Sequence, residues 1–177
     1  MPRAIILDRD GTLNVDEKGY TYKLEDFRLY PDVIPALRRL QQKFLLIVIS
    51  NQSGIAIGRY TQKQAKAFNS KLDRVMKENG VGIAGFYLCP HAPEEQCACR
   101  KPNTGLLMQA KLDFKLTLPK SYVIGDSFAD VGLAKNAGCA AIYLERGSTI
   151  DEKKARERAD YAAKDLTDAA QWILKGE

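Results

Sequence analysis

The stretch Ala4-Ile5-Ile6-Leu7-Asp8-Arg9-Asp10-Gly11-Thr12 decides the fold class of this chain. Its four apolar residues predict a short buried strand, and two carboxylates, Asp8 and Asp10, follow that strand directly. Because alternate side chains of an extended segment share one side, we expect both carboxylates beyond the carboxyl edge of the sheet, where open α/β sheets bind ligands. An Asx-rich turn, with Gly11 at the bend, would explain the same residues without a ligand.

Length and composition are those of an ordinary globular domain. The 177 residues are 45% hydrophobic and 28% charged, with a net charge of +5, so residues 1–177 are expected to form a single domain. The basic residues are spread along the chain, which gives no indication of a nucleic-acid partner. The sequence shows neither a membrane-spanning apolar run nor a signal peptide, and no long heptad remains for association. We therefore expect a cytoplasmic monomer with no membrane contact.

Apolar, β-rich segments alternate with helical patterns along the chain, which predicts a three-layer Rossmann-like α/β domain with a central parallel sheet. No connection between the predicted strands is long enough to hold an inserted cap domain. The predicted strands are Ala4–Leu7, Leu45–Ser50, Gly85–Leu88, Tyr122–Ile124 and Ala140–Leu144. The predicted helices are Pro31–Gln42, Thr61–Asn79, Thr104–Leu112, Phe128–Ala137, Lys153–Arg158 and Thr167–Leu174.

Polar residues follow the second predicted strand in a run rich in hydroxyl and amide groups. Ser50, Asn51, Gln52 and Ser53 form a turn whose side chains suit the oxygens of a phosphate group. Turns of this composition also occur in loops that bind nothing.

The fourth predicted strand also ends in carboxylates. Asp126 follows Gly125, and Asp130 lies one helical turn further on. Asp126 would complete the oxygen coordination that magnesium requires, and Asp130 would support it from behind. Alternatively, Asp126 would only cap the helix that begins at Phe128. Arg100 and Lys101 add two cations that would hold a phosphoryl group, unless they form a solvated pair.

Three of the four cysteines and the sole histidine lie in one short stretch. Cys89, His91, Cys97 and Cys99 form a Cys3His set with the spacing of a tetrahedral zinc site. Since four protein ligands leave no open position for water, this zinc would be structural and would clamp the loop that presents Arg100. A disulfide, or free thiols beside a loop histidine, are the alternatives.

The motifs together resemble the haloacid dehalogenase-like (HAD-like) phosphohydrolases over nearly the whole chain. The residues that carry the resemblance are Asp8-x-Asp10-x-Thr12, Ser50, Lys101 and Gly125-Asp126-x3-Asp130. The resemblance implies a two-step phosphoryl transfer in which Asp8 is the nucleophile and Asp10 is the general acid and base. Catalytic magnesium would be held by Asp8, the Asp10 carbonyl and Asp126, while Ser50 and Lys101 would stabilise the phosphoryl group.

Within this superfamily the chain is similar to a capless branch that acts on small phosphorylated substrates, among them heptose bisphosphates and histidinol phosphate. The resemblance favours the heptose bisphosphate, with histidinol phosphate or another small phosphorylated sugar as the alternative. Ile57 departs from this pattern, because the heptose enzymes usually carry Arg there. The substrate contacts implied are Asp16, Gly19, Tyr20, Asn51, Gln52, Ser53, Arg100 and Lys101.

Two non-enzymatic interpretations remain. A phosphoacceptor receiver domain also clusters aspartates on a doubly wound sheet, but its acceptor normally ends the third strand. A zinc-dependent nucleic-acid-binding module would fit the basic balance and the Cys3His set, yet the sequence offers no recognition helix or aromatic platform.

Overall fold

The first strand is built from Ala4–Leu7, and the other elements of this computed structural model are arranged around it. The structure describes residues 1–17, 19–146 and 151–176. The strands are β1 (Ala4–Leu7), β2 (Leu45–Asn51), β3 (Ile83–Cys89), β4 (Tyr122–Gly125), β5 (Ala140–Leu144) and β6 (Tyr161–Ala163). The helices are α1 (Val33–Leu40), α2 (Gln62–Glu78), α3 (Gly105–Phe114), α4 (Phe128–Ala137), α5 (Glu152–Arg158) and α6 (Leu166–Lys175).

The six strands form one parallel sheet in the order β3-β2-β1-β4-β5-β6. From β1 the chain adds β2 and β3 on one side and then β4, β5 and β6 on the other. The strands β1 and β4 therefore flank the point where the strand order reverses. Loops leave this point in opposite directions and open a crevice at the carboxyl edge. The predicted parallel α/β fold is confirmed.

Both faces of the sheet are buried, which explains why its strands are apolar without interruption. Ile5 and Leu7 of β1 pack into a core formed with α1, α2 and α6. Ala4 and Ile6 point the other way, into a core formed with α3, α4 and α5. Helix, sheet and helix are the three predicted layers.

Several boundaries differ from the prediction. The edge strand β6 was not predicted, because Tyr161–Ala163 is three residues long and follows a charged segment. Helix α1 begins at Val33 and is shorter than the predicted Pro31–Gln42, because the Asp32 carboxylate does not cap α1. It accepts instead from the backbone of Leu166 (2.7 Å), at the start of α6. The ends of β2, β3, β4 and of the remaining helices except α4 shift by one or two residues.

In the described ranges, each connection between strands holds one α-helix together with loops and 3₁₀ turns. Across the same residues, no helix has the length and apolar character needed to cross a membrane.

Candidate active site

The Asp8 carboxylate lies where β1 ends, at the carboxyl edge of the sheet. Its backbone N–H donates to the carbonyl of Ile124 (3.0 Å), which fixes Asp8 against the end of β4. Burial raises the pKa of Asp8 well above its ordinary value; the Lys101 ammonium opposes this effect, and the nearby carboxylates of Asp130 and Asp126 add to it. Asp8 therefore needs more positive charge than Lys101 supplies to remain an ionised nucleophile.

Lys101 is almost fully buried, and its ammonium group donates three hydrogen bonds. Its Nζ donates to Asp8 Oδ1 (2.6 Å), Asp130 Oδ1 (2.7 Å) and the carbonyl of Ile49 (2.9 Å). Burial alone would lower the pKa of Lys101, but the Asp130 and Asp8 carboxylates outweigh it and raise the pKa above its ordinary value. The lysine is thus a permanent cation beside Asp8.

Asn51 holds the backbone of Lys101 in place. Its Oδ1 accepts from the Lys101 N–H (3.0 Å), and its Nδ2 donates to the Lys101 carbonyl (3.2 Å). Although Asn51 was expected to touch the substrate, its amide is engaged in joining the end of β2 to the lysine.

Asp8, Asp126 and Asp130 form an acidic cluster whose carboxylate oxygens lie within 4.8 Å of one another. Three carboxylates against the single ammonium of Lys101 leave an excess of negative charge, which a divalent cation with oxygen ligands would neutralise. Thr12 Oγ1 donates to Asp126 (3.1 Å) and orients it. Gly11 has a φ of +82°, and a Cβ there would collide with the Asp126 carboxylate. These residues fit magnesium.

Asp130 is held behind the other two carboxylates. One oxygen accepts from Lys101, and the other accepts from the backbone N–H (3.2 Å) and the Oγ (2.5 Å) of Ser127. Ser127 is the residue that caps α4, so the suggested capping role of Asp126 is not observed. Asp130 thus links Lys101 to the start of α4.

Ser50 contributes an unsatisfied hydroxyl at the end of β2. The residue is buried, and its Oγ has no hydrogen-bond partner among the described residues. A buried hydroxyl without a partner is costly unless a ligand supplies one. A phosphoryl oxygen would satisfy it.

The Asp10 carboxylate is surrounded by four donors. Arg9 donates to both oxygens, from Nε to Oδ1 (2.9 Å) and from Nη2 to Oδ2 (2.7 Å). Asn14 Nδ2 donates to Oδ1 (2.9 Å), and Gln52 Nε2 donates to Oδ2 (2.7 Å). Asp10 is therefore fixed in one orientation, and Gln52, which was expected to contact the substrate, is buried behind it.

The open cavity above these carboxylates has a volume of about 310 Å³. It is lined by Asp8, Asp10, Asp16, Gly19, Tyr20, Asn51, Ser53, Tyr60, Lys101 and Ser127. Eight of the predicted site residues are thus brought together around the cavity, whereas five do not line it: Ser50, Gln52, Arg100, Asp126 and Asp130. Tyr60 and Ser127 were not predicted, and a polar residue following the Gly125-Asp126 pair was the available signal for Ser127.

One wall of the cavity is formed by Asp16, Gly19 and Tyr20. Tyr20 adopts a left-handed backbone (φ +59°) and carries the Arg59 guanidinium over its ring at 4.6 Å. Asp16 accepts a hydrogen bond from Thr21, and burial raises the pKa of Asp16. The wall presents one aromatic face and one carboxylate to whatever occupies the cavity.

Cys89, His91, Cys97 and Cys99 converge as the spacing predicted. The separations are 3.1 Å for Cys89–Cys99, 3.4 Å for Cys97–Cys99 and 3.5 Å for Cys89–Cys97, with His91 Nδ1 3.2 Å from the Cys99 sulfur. A tetrahedron with Zn–S bonds of about 2.3 Å has edges of about 3.8 Å, so a small expansion of this cluster accommodates the ion. The four cysteines are all free, which removes the disulfide alternative.

The cysteine cluster is tied to the active site on two sides. The Cys89 carbonyl accepts from the backbone N–H of Gln52 (2.7 Å), and Arg100 donates to the His91 carbonyl (3.3 Å). Arg100 and Lys101 directly follow Cys99 in the chain. The cluster thus fixes the starting point of the loop that carries Lys101 into the site.

Comparison with known proteins agrees with this architecture. Residues 98–169 match a family model described as HAD-hydrolase-like. The chain is 36% identical to the D-glycero-beta-D-manno-heptose-1,7-bisphosphate 7-phosphatase of Haemophilus ducreyi, over 97% of this chain and 98% of that one. It is also 36% identical to the enzyme of the same name from Escherichia coli K12, over 97% and 94% of the two chains.

Among solved structures, the D,D-heptose 1,7-bisphosphate phosphatase of B. bronchiseptica, complexed with magnesium and phosphate, matches with a TM-score of 0.86 and 28% identity over 99% of both chains. The chain belongs to the HAD-like hydrolases, in the family of the D-glycero-D-manno-heptose-1,7-bisphosphate 7-phosphatases. The expected superfamily is confirmed.

Proposed function

We propose that this protein is a magnesium-dependent phosphatase that removes the 7-phosphate of D-glycero-D-manno-heptose 1,7-bisphosphate through a phosphorylated aspartate. Asp8 carries the proposal, because its carboxylate, only 12% exposed, lies at the switch point of the sheet, 2.6 Å from a permanent cation, in a group of three carboxylates that could hold a divalent ion. The family's named substrate, with its two phosphates, supports the choice of ester.

Asp8 would act as the nucleophile. One of its carboxylate oxygens attacks phosphorus, an acyl phosphate bond forms, and the bond from phosphorus to the sugar oxygen breaks. The Ser50 hydroxyl would donate to a phosphoryl oxygen, and the Lys101 ammonium would stabilise the phosphoryl group in the transition state through its charge. When bound by Asp8, Asp126 and the Asp10 carbonyl, magnesium would neutralise charge on the phosphoryl group and lower the pKa of Asp8.

Asp10 would transfer the protons of both steps. In the first step it gives its proton to the departing sugar oxygen, which leaves as an alcohol. In the second step it takes a proton from the water that attacks the acyl phosphate, and this step releases inorganic phosphate and restores Asp8. Both steps use the same position because Asp10 lies on the cavity wall next to Asp8.

The zinc ion would have no part in the chemistry. Cys89, His91, Cys97 and Cys99 would hold it in a closed set, and its effect would be to fix the loop that presents Arg100 and Lys101. Asp16, Gly19, Tyr20 and Ser53 are on the cavity wall and would contact the sugar. Arg100 would meet the distal, polar end of the substrate.

The test is phosphate release from heptose 1,7-bisphosphate and from histidinol phosphate, with magnesium present and the remaining sugar phosphate identified by NMR. We expect a large kcat/KM preference for the bisphosphate, with heptose 1-phosphate as the product. Asp8→Asn and Asp126→Asn should abolish turnover, whereas Asp73→Asn, at an aspartate of α2 paired with Lys77, should not. Preference for histidinol phosphate would overturn the assigned substrate, and full activity of Asp8→Asn would overturn the mechanism.

A further inference from the structure

Arg9 is a fully buried arginine that lies between Asp8 and Asp10 in the sequence. Besides its two bonds to Asp10, its Nη2 donates to the Thr21 carbonyl (2.8 Å) and to Gln52 Oε1 (3.0 Å), and its Nη1 donates to Asn69 Oδ1 (3.0 Å). The guanidinium also lies 4.6 Å from the ring centre of Phe68. The side chain is held by groups from the turn after β2, from α2 and from the loop before η1 (Leu24–Asp26).

Burying a guanidinium is unfavourable unless its charge and its donors are all matched. The Asp10 carboxylate neutralises the guanidinium charge in a bidentate contact. The planar guanidinium of arginine makes this geometry, and the ammonium of lysine does not. Asn69 is a polar residue in the buried face of α2, where an apolar residue would pack without this cost. Its bond to Arg9 accounts for its presence there.

We propose that Arg9 is a positioning residue, which holds the Asp10 carboxylate in the one orientation that serves proton transfer. This inference rests on the proposed function, in which Asp10 is the acid and base. The site is an open cavity, and the Asp10 side chain is 17% exposed. Without the fork of Arg9, the carboxylate would rotate toward water, and a displacement of about 1 Å costs about a hundredfold in rate.

A second layer holds Arg9 itself. Gln52 donates to Asp10, accepts from Arg9 and also accepts from the Tyr60 hydroxyl (2.6 Å). Asn69 fixes the opposite end of the guanidinium from helix α2. The turn after β2 and the helix that follows it thus act on Asp10 through Arg9.

Misplacing Asp10 should slow the hydrolysis of some esters more than others, depending on the leaving group. An ester whose leaving oxygen is strongly basic needs the proton of Asp10, whereas p-nitrophenyl phosphate departs readily without it. A defect in the position of Asp10 should therefore increase the dependence of kcat/KM on leaving-group pKa. A general loss of folded protein would reduce the rates for all esters by the same factor.

The experiment measures kcat/KM for a series of aryl phosphates, from p-nitrophenyl to phenyl phosphate, with magnesium. Asp10→Asn serves as the reference, and Arg9→Lys keeps the charge but loses the fork. We expect Arg9→Lys to lose at least about tenfold more activity on phenyl phosphate than on p-nitrophenyl phosphate, a part of the about 10²–10⁴-fold effect of general acid catalysis. The series does not depend on which sugar phosphate is the natural substrate.

A second variant, Asn69→Leu, tests the proposal even if Arg9→Lys does not fold. It removes only the hydrogen bond that Arg9 donates to Asn69. We expect a smaller loss with the same selectivity, while Ser70→Ala, at the exposed neighbour whose hydroxyl bonds the Lys66 carbonyl, should match the wild type. If Asp10→Asn is selective and the Arg9 and Asn69 variants lose equally on all esters, Arg9 is not a positioning residue. If Asp10→Asn itself shows no selectivity, the proposed acid role fails instead.

Discussion

The Nζ of Lys101 lies 2.6 Å from Oδ1 of Asp8, although the two residues are 93 positions apart in the chain. The same Nζ lies 2.7 Å from Asp130, so one ammonium serves two carboxylates whose side chains are 12% and 1% exposed. Asp8, Lys101 and Asp130 form a single electrostatic unit.

Replacing Lys101 with methionine should therefore damage both stability and catalysis. The change leaves Asp8 and Asp130 without their cation, and breaking a buried pair in this way costs about 3–5 kcal/mol. Urea denaturation without added magnesium should show this loss, and magnesium should restore part of it. The kcat should fall by about 10²–10³-fold, as for other preorganised phosphoryl or oxyanion donors.

Lys135→Met is the matched control for Lys101→Met. Lys135 also lies 2.7 Å from an aspartate, Asp160, but the two side chains are 30% and 41% exposed. A surface pair of this kind contributes about 0–1 kcal/mol. Equal losses in the two variants would contradict the buried electrostatic unit.

Cys99→Ser should remove the zinc and loosen the loop before Lys101. Cys99 lies within hydrogen-bond distance of Cys89, His91 and Cys97, so its thiolate is central to the set. We expect the bound zinc, measured by elemental analysis, to fall from one ion per chain to well below one, with a rise in KM. Cys139→Ser changes a cysteine outside the cluster and should keep its zinc; a full zinc content in Cys99→Ser would refute the proposed site.

Asp32→Ala should destabilise the protein. The Asp32 carboxylate accepts from the Leu166 N–H (2.7 Å) and forms an ion pair with Arg146 (2.8 Å), whose side chain is 9% exposed. Loss of the Asp32 carboxylate leaves the nearly buried Arg146 guanidinium without its ion-pair partner. We therefore expect a decrease of about 3–5 kcal/mol in the free energy of unfolding. Asp26→Ala, at an exposed position, should change it by about 0.5 kcal/mol or less, and similar values for both would argue against this role.

Asp160 should make the stability depend on pH in a defined direction. Burial alone would raise its pKa, but the bonds from the Ala141 N–H (2.7 Å) and from Lys135 outweigh burial and lower it. A carboxyl whose folded pKa is lowered stabilises the protein above its unfolded pKa of about 3.9, and this contribution disappears as the pH falls through the folded value. Wild type should exceed Asp160→Asn in stability at pH 7, and the difference should shrink below pH about 4. A difference that grows on acidification would be inconsistent with the lowered pKa.

Short-range patterns made much of this molecule predictable. The apolar run Ala4–Leu7 and the capping residue Thr61 identify β1 and the start of α2, because strand alternation and helix capping are local rules. Cys89 and Cys99 lie close together in the sequence, so the cysteine cluster was also predictable from a local pattern. The carboxylates after β1 and β4 meet because carboxyl ends of parallel strands share one edge.

Partners that are distant in sequence were not predictable in the same way. Strand alternation predicts that the Arg9 side chain points away from Asp10. However, β1 ends at Leu7, and in the turn that follows, the Arg9 side chain hydrogen-bonds to Asp10. Nothing local to Asn69 indicates that it lies opposite this arginine. Asn51 and Gln52 were assigned to the substrate from composition, whereas long-range packing directs their amides to Lys101 and Asp10.

The most direct test of the central claim is the capture of a phosphorylated Asp8. The enzyme is mixed with heptose 1,7-bisphosphate and magnesium, quenched in acid within one turnover and mapped by mass spectrometry, with Asp10→Asn used to slow the second step. We predict an acyl phosphate on the peptide that contains Asp8, enriched in the Asp10→Asn variant and absent from Asp8→Asn. Phosphate release without any label on Asp8, or a label on another residue, would contradict the proposed mechanism.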